Sequence, residues 1–233
     1  MSMLCKRLAL VAALIEPGES VADIGADHAR LAIYLAEHKA ASRVIIGELS
    51  DGPYARACRS VQESAVADQI SLRQGNGLQV LDSGEVNNVI IAGLGGDTIV
   101  EILAHDGDKA ASFQRFIFQP MSKAGVLREW LANRGWVIED ERLVRENRRV
   151  YLVIVSRPGN CPYVLTDLEI DIGPLILKKD NEINRGFIQR NLQKYKHIYA
   201  DLMRSPLPKN GELAHDYREK IVRLEEILGV SQD

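Results

Sequence analysis

Two carboxylates flank a glycine in the stretch 20–31, where Asp23 and Asp27 lie on either side of Gly25. Small and β-branched residues before Gly25 predict a buried strand, and a helical pattern begins at about His28. A strand that ends in a glycine turn and opens a helix leaves backbone N–H groups facing a crevice. With two acids beside them, such donors could hold a ligand that carries both positive charge and hydroxyl groups.

The spacing around Gly25 disfavours a dinucleotide phosphate. The G-x-G-x-x-G pattern is absent, and Asp27 occupies the place where an anion would contact the helix start. S-adenosylmethionine, with its ammonium and ribose, suits this turn better. The alternative is an ordinary strand–helix turn with Asp27 near the helix N-cap.

Further polar residues follow the next predicted strands. Glu48 closes the second strand, roughly 20 residues beyond the glycine turn, where an acid commonly binds ribose hydroxyls; it could also be a solvated strand-end carboxylate. Asn76, after the third strand, could bond the adenine amino group or simply serve a turn. Leu49 and Gly77 adjoin these two positions.

Glycines after the fourth predicted strand, Gly93, Gly95 and Gly96, would allow a substrate to approach the backbone closely. This loop lacks the polar–Pro–Pro–aromatic sequence common in enzymes that methylate exocyclic amines. A ring nitrogen with a lone pair needs alignment rather than a general base. His28 would be a packing residue at a helix start or a member of the active site.

The composition of the chain indicates the broad class of protein to which it belongs. The chain has 233 residues, 46% hydrophobic and 26% charged, with net charge −3, so any nucleic-acid surface must be local. Five histidines and three widely spaced cysteines show no metal-ligand pattern. We expect no metal site, no transmembrane segment and a cytoplasmic location.

Alternating strands and helices predict an α/β fold, a Rossmann-like parallel sheet over 1–160 that ends in an antiparallel hairpin. A helix is expected over 53–67. From 161 to 233 we expect a helical hairpin, with a long helical stretch over 171–203 and a second helix over 212–228. This hairpin is either a coiled-coil lid or dimer arm, or an RNA-contacting element with basic residues such as Arg190 and Lys194.

The order of several short motifs resembles the TrmK family of bacterial tRNA (adenine-N1)-methyltransferases, which act on a D-loop adenine. The motifs are Asp23-Ile-Gly-Ala-Asp27-His28, Gly52-Pro53, Gly75-Asn-Gly-Leu78, Ile91-Ala-Gly-Leu-Gly-Gly96, Gln119-Pro-Met121, Leu127-Arg-Glu-Trp-Leu131, Leu143-Val-Arg-Glu146 and Asp171-Ile-Gly-Pro174.

The resemblance implies a class I methyltransferase domain that uses S-adenosyl-L-methionine, releases S-adenosyl-L-homocysteine and binds tRNA with help from the helical tail. It places residues in three sets. The catalytic set is Asp27, His28, Gly95 and Gly96; the cofactor set is Asp23, Gly25, Asp27, Glu48, Leu49, Asn76, Gly77 and Gly93; and the substrate set is Arg30, Gln119, Arg145, Arg149, Arg190 and Lys194.

The chain departs from the family pattern at several positions. Arg30 and Ala32 stand where the family has an aromatic residue and a proline, so either the Arg30 guanidinium stacks on the target base or recognition of that base differs. Glu48 stands where the family commonly has aspartate. Asn76 replaces an aspartate beside the cofactor adenine. Methylation of a small molecule and a non-catalytic adenosyl- or RNA-binding module remain alternative functions, and we expect a monomer or weak homodimer.

Overall fold

The computed structural model describes residues 4–38, 40–204 and 209–230, with the side chains of 209 and 210 left out. The chain divides into two compact units, Met1–Leu165 and Thr166–Asp233. The residues of 159–163 pack on the first unit, where the Tyr163 hydroxyl donates to the carbonyl of Trp136 at 3.0 Å.

A seven-stranded sheet forms the first unit, in the order β3-β2-β1-β4-β5-β7-β6. Strands β1 to β5 are parallel, and β7 and β6 complete the sheet in antiparallel pairing. The strands are β1 Glu19–Ile24, β2 Ala41–Glu48, β3 Ile70–Gln74, β4 Asn88–Ala92, β5 Arg115–Gln119, β6 Val137–Glu146 and β7 Arg149–Arg157. The predicted Rossmann-like sheet with a terminal hairpin is therefore confirmed. The strand order reverses between β1 and β4, where open α/β sheets bind ligands.

Six helices cover this sheet within the described part of the first unit. They are α1 Lys6–Ala12, α2 Arg30–Glu37, α3 Asp51–Gln62, α4 Gly96–His105, α5 Gly107–Ala111 and α6 Ala124–Asn133. The helix predicted over 53–67 begins earlier and ends at Gln62, because residues 67–69 form a separate 3₁₀ turn before β3. The short helix α5 was not predicted.

Alternating side chains build a core on each face of the sheet. Val21, Ile46 and Ile90 are buried in one cluster with residues of α1, α2 and α3. On the other face the Phe116 ring lies 5.0 Å from the Trp136 ring. Because both faces are covered, the central strands are mostly apolar, as 89–92 of β4 show.

The β6–β7 hairpin extends past the carboxyl ends of the parallel strands. Phe118, near the end of β5, pairs with Ile154 of β7, and β7 begins five residues earlier, at Arg149. At about 3.4 Å per residue, the hairpin tip projects roughly 13 Å beyond Gln119. Asn147 takes a left-handed conformation in the turn, with φ 54°.

The second unit is helical, with α7 Asp167–Ile172, α8 Glu182–Arg204 and α9 Lys209–Leu228. The predicted hairpin of α8 and α9 is confirmed, but the single stretch expected over 171–203 is wrong. Gly173, with φ 118°, and Pro174 separate α7 from α8. Helix α9 begins at Lys209, before the predicted start at 212, and residues 205–208 lie outside the described residues.

Ion pairs and a hydrogen bond join the three helices of the second unit. Asp171 of α7 accepts from the Tyr195 hydroxyl of α8 at 3.0 Å and from Lys220 Nζ of α9 at 2.8 Å. Lys196 pairs with Glu225 at 2.7 Å. Across the described ranges, no helix combines the length and apolar character needed to span a membrane.

Candidate active site

The turn between β1 and α2 has an unusual backbone. Gly25 has φ 78°, Asp27 has φ 41° and Ala29 has φ 53°. Left-handed backbone is ordinary for glycine and tolerated by aspartate, but uncommon for alanine. The Gly25 N–H donates to the carbonyl of Gly47 on the neighbouring strand at 2.8 Å. The turn is therefore tied to the end of β2.

Glu48, at the end of β2, makes a second contact with this turn. Its Oε1 accepts a hydrogen bond from the backbone N–H of Asp27. The carboxylate is buried, and burial raises its pKa, whereas the N–H groups of Asp27 and Leu49 oppose that rise. The acid predicted to bind ribose thus lies directly beside the glycine turn.

Asp23 lies one residue before the end of β1 and is only 4% exposed. Burial, followed by repulsion from Glu48, raises the pKa of Asp23 to about 7, and the Arg7 guanidinium partly opposes this effect. A buried acid near half ionisation gains from a cationic ligand. Asp23 is suited to contact positive charge.

The Asp27 side chain forms an ion pair at the mouth of the turn. Its Oδ1 accepts from Arg56 Nε of α3 at 2.8 Å and from Nη2 at 2.6 Å. His28 Nε2 lies 3.5 Å from the other carboxylate oxygen of Asp27. All three side chains are about half exposed, so this pair lies where a substrate could reach it.

Helix α1 closes the opposite side of the site. Arg7 donates from Nη1 to the side-chain oxygen of Gln119, which is buried at the end of β5. The Arg7 guanidinium also lies 5.6 Å from the ring centre of Tyr151 in the hairpin. The backbone N–H of Lys6 bonds Glu146 at 2.7 Å. Helix α1 therefore links the hairpin to the carboxyl edge of the sheet.

Two clefts meet over this edge. The first, here named the α4 cleft, has a volume of about 400 Å³ and includes Glu48, Leu49, Asn76 and Ile102 in its lining. The second, named the α1 cleft, has a volume of about 700 Å³. It contains Arg7, Asp23, Asp27, His28, Arg30 and Gly93. Both clefts share Gly25, Glu48 and Leu94.

Close packing explains the glycine at position 77. Gly77 has φ 53°, and a Cβ there would lie 2.9 Å from Ile102 of α4. The third-strand loop is thereby held against the helix that forms the opposite wall of the α4 cleft. Asn76 itself has an extended backbone, with φ −88° and ψ 115°, so its place does not require positive φ.

Gly95 and Gly96 lie under the loop that follows β5. A Cβ at Gly96 would come within 2.2 Å of the carbonyl oxygen of Lys123, and the Gly96 N–H donates to the carbonyl of Ser122. Neither glycine is among the described residues that line the two clefts. This packing accounts for the small side chains, and a catalytic part for the two residues stays a prediction.

The predicted substrate residues are spread more widely. Arg30 is exposed at the start of α2 in the α1 cleft, and Arg145 and Arg149 are exposed near the hairpin tip. None of these three has an ion-pair partner among the described residues. Arg190 and Lys194 are exposed on α8 and belong to the second unit.

The decisive comparison is with a protein-family model. The model described as TrmK, tRNA (adenine(22)-N(1))-methyltransferase, matches residues 21–226. The chain belongs to the TrmK family. This confirms the resemblance drawn from the motifs.

Individual TrmK relatives match over almost the whole chain. The tRNA (adenine(22)-N(1))-methyltransferase of Bacillus subtilis is 33% identical over 97% of each chain. The crystal structure of B. subtilis TrmK has a TM-score of 0.85 at 32% identity, covering 97% of this chain and 99% of that one. Streptococcus pneumoniae Sp1610, solved in complex with S-adenosyl-L-methionine, has a TM-score of 0.82 at 30% identity, covering 97% and 100%.

Several residues of this TrmK-family site were missed by sequence reasoning. Arg7 and Ile102 were not among the predicted site residues, and Arg56 was only one position of the helix predicted over 53–67. Arg7 and Arg56 line the α1 cleft, and Ile102 lines the α4 cleft. A basic residue on an otherwise apolar helix face was the signal available for Arg7.

Proposed function

We propose that this protein transfers a methyl group from S-adenosyl-L-methionine to N1 of adenine 22 in the D-loop of tRNA. The observation that carries the proposal is the pair of clefts that meet at Gly25 and Glu48, on a chain that belongs to the TrmK family. The relatives named above act on this tRNA position or bind this cofactor, as their descriptions state.

The residues at the junction of the clefts fit the cofactor. Glu48 offers a carboxylate for the ribose hydroxyls, and Leu49 and Ile102 provide apolar walls for the adenine beside Asn76 and Gly77. Asp23 would bind the ammonium, because a buried carboxylate attracts a cation strongly. Gly25 and Gly93 allow the cofactor to lie close to the backbone.

When bound, the cofactor would supply a methyl group on a positively charged sulfur: the lone pair of adenine N1 would bond to the methyl carbon as the carbon–sulfur bond breaks, which leaves a neutral thioether and a cationic methylated adenine. No proton has to leave N1, so the residues of the α1 cleft need not include a general base. Their part is to align the base and to stabilise the positive charge that develops on it. Asp27 and His28 lie where they could do both.

The basic residues around the α1 cleft would contact tRNA. Arg30 could stack on the flipped base, as guanidinium planes do. Arg145 and Arg149 lie on the hairpin that projects past the same edge of the sheet, where they could bind phosphates. We assign Gln119 to positioning Arg7 rather than to direct substrate contact.

We further propose that residues 1–160 form the catalytic domain and that residues 161–233 grip tRNA through Arg190 and Lys194. We also propose that the protein works in the cytoplasm, where tRNA is found, and that it is a monomer or weak homodimer. Methylation of a small molecule and non-catalytic binding are less well supported, because the family is described by a tRNA methyltransferase activity.

The test is incubation with labelled S-adenosyl-L-methionine and total bacterial tRNA, followed by digestion to nucleosides. The proposal predicts 1-methyladenosine as the labelled product. Label in another nucleoside, or transfer to small molecules but not to tRNA, would overturn it. Calorimetry with S-adenosyl-L-homocysteine shows separately whether the cofactor binds.

A further inference from the structure

We propose that Asp106 is the residue that recognises the cofactor's adenine amino group in this chain, in place of the aspartate that Asn76 replaces. The inference rests on the proposed function, because it assumes that the α4 cleft holds an adenosyl group. Asp106 follows α4 and is part of the lining of that cleft, together with Asn76, Gly77 and Ile102.

The Asp106 carboxylate is unusual because it has an unpaired buried oxygen. Its Oδ2 has no hydrogen-bond partner among the described residues. The residue is the N-cap of α5, yet its side chain makes no capping bond. A buried acceptor left without a donor reduces stability, so such groups call for an explanation such as a ligand.

The neighbouring polar groups of the cleft do not satisfy this acceptor. His105 Nε2 lies 2.8 Å from Gln79 Nε2, with which it pairs. Asn76 carries an amide, which can donate or accept but has no charge. Asp106 therefore supplies a carboxylate acceptor. Of the other two acids in the cleft lining, Glu48 already accepts from the Asp27 N–H and Glu101 is exposed.

The hydrogen-bonding groups of adenine determine how Asp106 would recognise the cofactor. With the ribose at Glu48, the proposal places the purine in the part of the α4 cleft lined by Leu49, Ile102, Asn76 and Asp106. Rotation about χ2 of aspartate is broad and roughly two-fold, so either carboxylate oxygen can turn to the ligand. The 6-amino group of adenine donates a hydrogen bond, and an ionised carboxylate only accepts.

Asp106 should therefore select adenine over a purine that lacks the amino group or carries a 6-oxo group. A 6-oxo group would place two acceptors against each other. Sites that bond a specific donor discriminate strongly against analogues that lack it, since their polar group is then left unpaired.

The experiment compares three ligands by calorimetry with the full chain: S-adenosyl-L-homocysteine, S-inosyl-L-homocysteine and the analogue with hydrogen at purine C6. The variants are Asp106→Asn and Asp106→Ala, with Asp108→Asn as the matched control, because Asp108 is an exposed acid two residues away that lines neither cleft within the described residues. We expect both Asp106 variants to bind S-adenosyl-L-homocysteine about ten-fold more weakly, as loss of a charge-assisted hydrogen bond implies.

Binding of the C6-hydrogen analogue should be unchanged in the variants, and Asp106→Asn should gain affinity for the 6-oxo ligand because its amide can donate. Asp108→Asn should leave all three affinities unchanged. Thermal unfolding without ligand should show no loss in Tm for Asp106→Ala, since the wild-type carboxylate lacks a partner.

Equal loss for all three ligands, or no loss for any, would overturn the role of Asp106. If the wild type binds S-adenosyl-L-homocysteine and methylates tRNA while the variants fail to discriminate, only this inference fails. If the wild type does not bind S-adenosyl-L-homocysteine, the proposed function and this inference fail together.

Discussion

The side chain of Glu48 accepts a hydrogen bond from the backbone N–H of Asp27 and so joins the end of β2 to the turn after β1. Asp27 itself has a left-handed φ of 41° in this turn. Glu48 therefore has two roles, since it stabilises the turn and also lines both clefts. The shape of the turn and the affinity for the cofactor should depend on the same side chain.

Substitution of Glu48 can separate these two tasks. Glu48→Gln keeps an oxygen that accepts the Asp27 N–H but loses the charge that bonds ribose hydroxyls. We predict about ten-fold weaker binding of S-adenosyl-L-homocysteine with little change in Tm. Glu48→Ala should bind still more weakly and should also lower Tm, because the Asp27 N–H loses its acceptor.

Calorimetry and thermal unfolding measure the two effects. Glu85→Gln serves as a control acid, because Glu85 pairs with Arg43 and Arg73 and lines neither cleft within the described residues. This control should lose stability and keep its affinity. Unchanged affinity in Glu48→Ala would show that the cofactor's ribose lies elsewhere.

The contrast between Glu48 and Arg7 shows what sequence can and cannot supply. Glu48 was predicted because strand periodicity fixes where β2 ends, and parallel strands end at one edge of the sheet. Arg7 was not, because its side chain meets Gln119 across 112 positions of sequence. Such a contact depends on how α1 crosses the sheet, which local patterns do not determine.

The helix boundaries and close contacts also include features that the local sequence did not predict. Gly173 and Pro174 are both helix-breaking residues, and their effect was underestimated because apolar residues on either side continued the helical period. The packing role of Gly96 could not be predicted, since it arises from the approach of the Lys123 carbonyl. Asp106 was missed because an unpaired oxygen is visible only in three dimensions.

Asp23 should make both stability and ligand affinity depend on pH. Its pKa of about 7 in the folded chain exceeds the ordinary 3.8, so the folded state keeps a proton that the unfolded state releases. The stability from this proton is fully present below the unfolded pKa and is lost as pH rises through 7. Relative to Asp23→Asn, the wild type should lose roughly 2–3 kcal/mol between about pH 5 and about pH 8.

The same ionisation should favour a ligand with an ammonium group. Affinity of the wild type for S-adenosyl-L-homocysteine should rise about ten-fold between about pH 6 and about pH 8, and that of Asp23→Asn should not. Denaturant titrations and calorimetry at several pH values measure the two effects. Asp97→Asn, at an exposed acid paired with Lys123, is the control and should follow the wild type. A flat pH profile for the wild type would contradict the role given to Asp23.

The ion pair of Asp27 and Arg56 should support methyl transfer rather than folding. Asp27→Ala should lower kcat/KM by about 100-fold or more, with only a modest fall in Tm, because the carboxylate is half exposed but alanine is disfavoured at the left-handed φ of this position. Asp27→Asn should lose less, because asparagine tolerates the left-handed backbone.

A double-mutant cycle distinguishes two forms of this role. If Asp27 acts through its own charge near the base, Arg56→Gln should retain more activity than Asp27→Ala. If Asp27 acts by holding Arg56, the two variants should lose equally and the double variant should lose no more. Full activity in Asp27→Ala would remove this residue from the active site.

The hairpin arginines should contribute to tRNA binding through charge. Arg145→Gln and Arg149→Gln should each weaken tRNA binding and reduce the slope of log K against log salt by about one. Cofactor affinity should not change, because neither residue lines a cleft within the described residues.

Arg142→Gln is the matched control on the same hairpin, because Arg142 already pairs with Asp140 at 2.6 Å. Filter binding at several salt concentrations measures the slope for each variant, and the control should resemble the wild type. Arg190→Gln with Lys194→Gln tests the helical unit in the same assay. If the control and the hairpin variants behave alike, the hairpin is not a phosphate-binding surface.

The most direct measurement uses two transcripts of one tRNA that differ only at position 22, with adenine in one and guanine in the other. After reaction with S-adenosyl-L-methionine, primer extension locates the modified base, because a methyl on N1 blocks base pairing. The account predicts a stop at position 22 of the adenine transcript and no methylation of the guanine transcript. Equal methylation of both transcripts, or of neither, would contradict it.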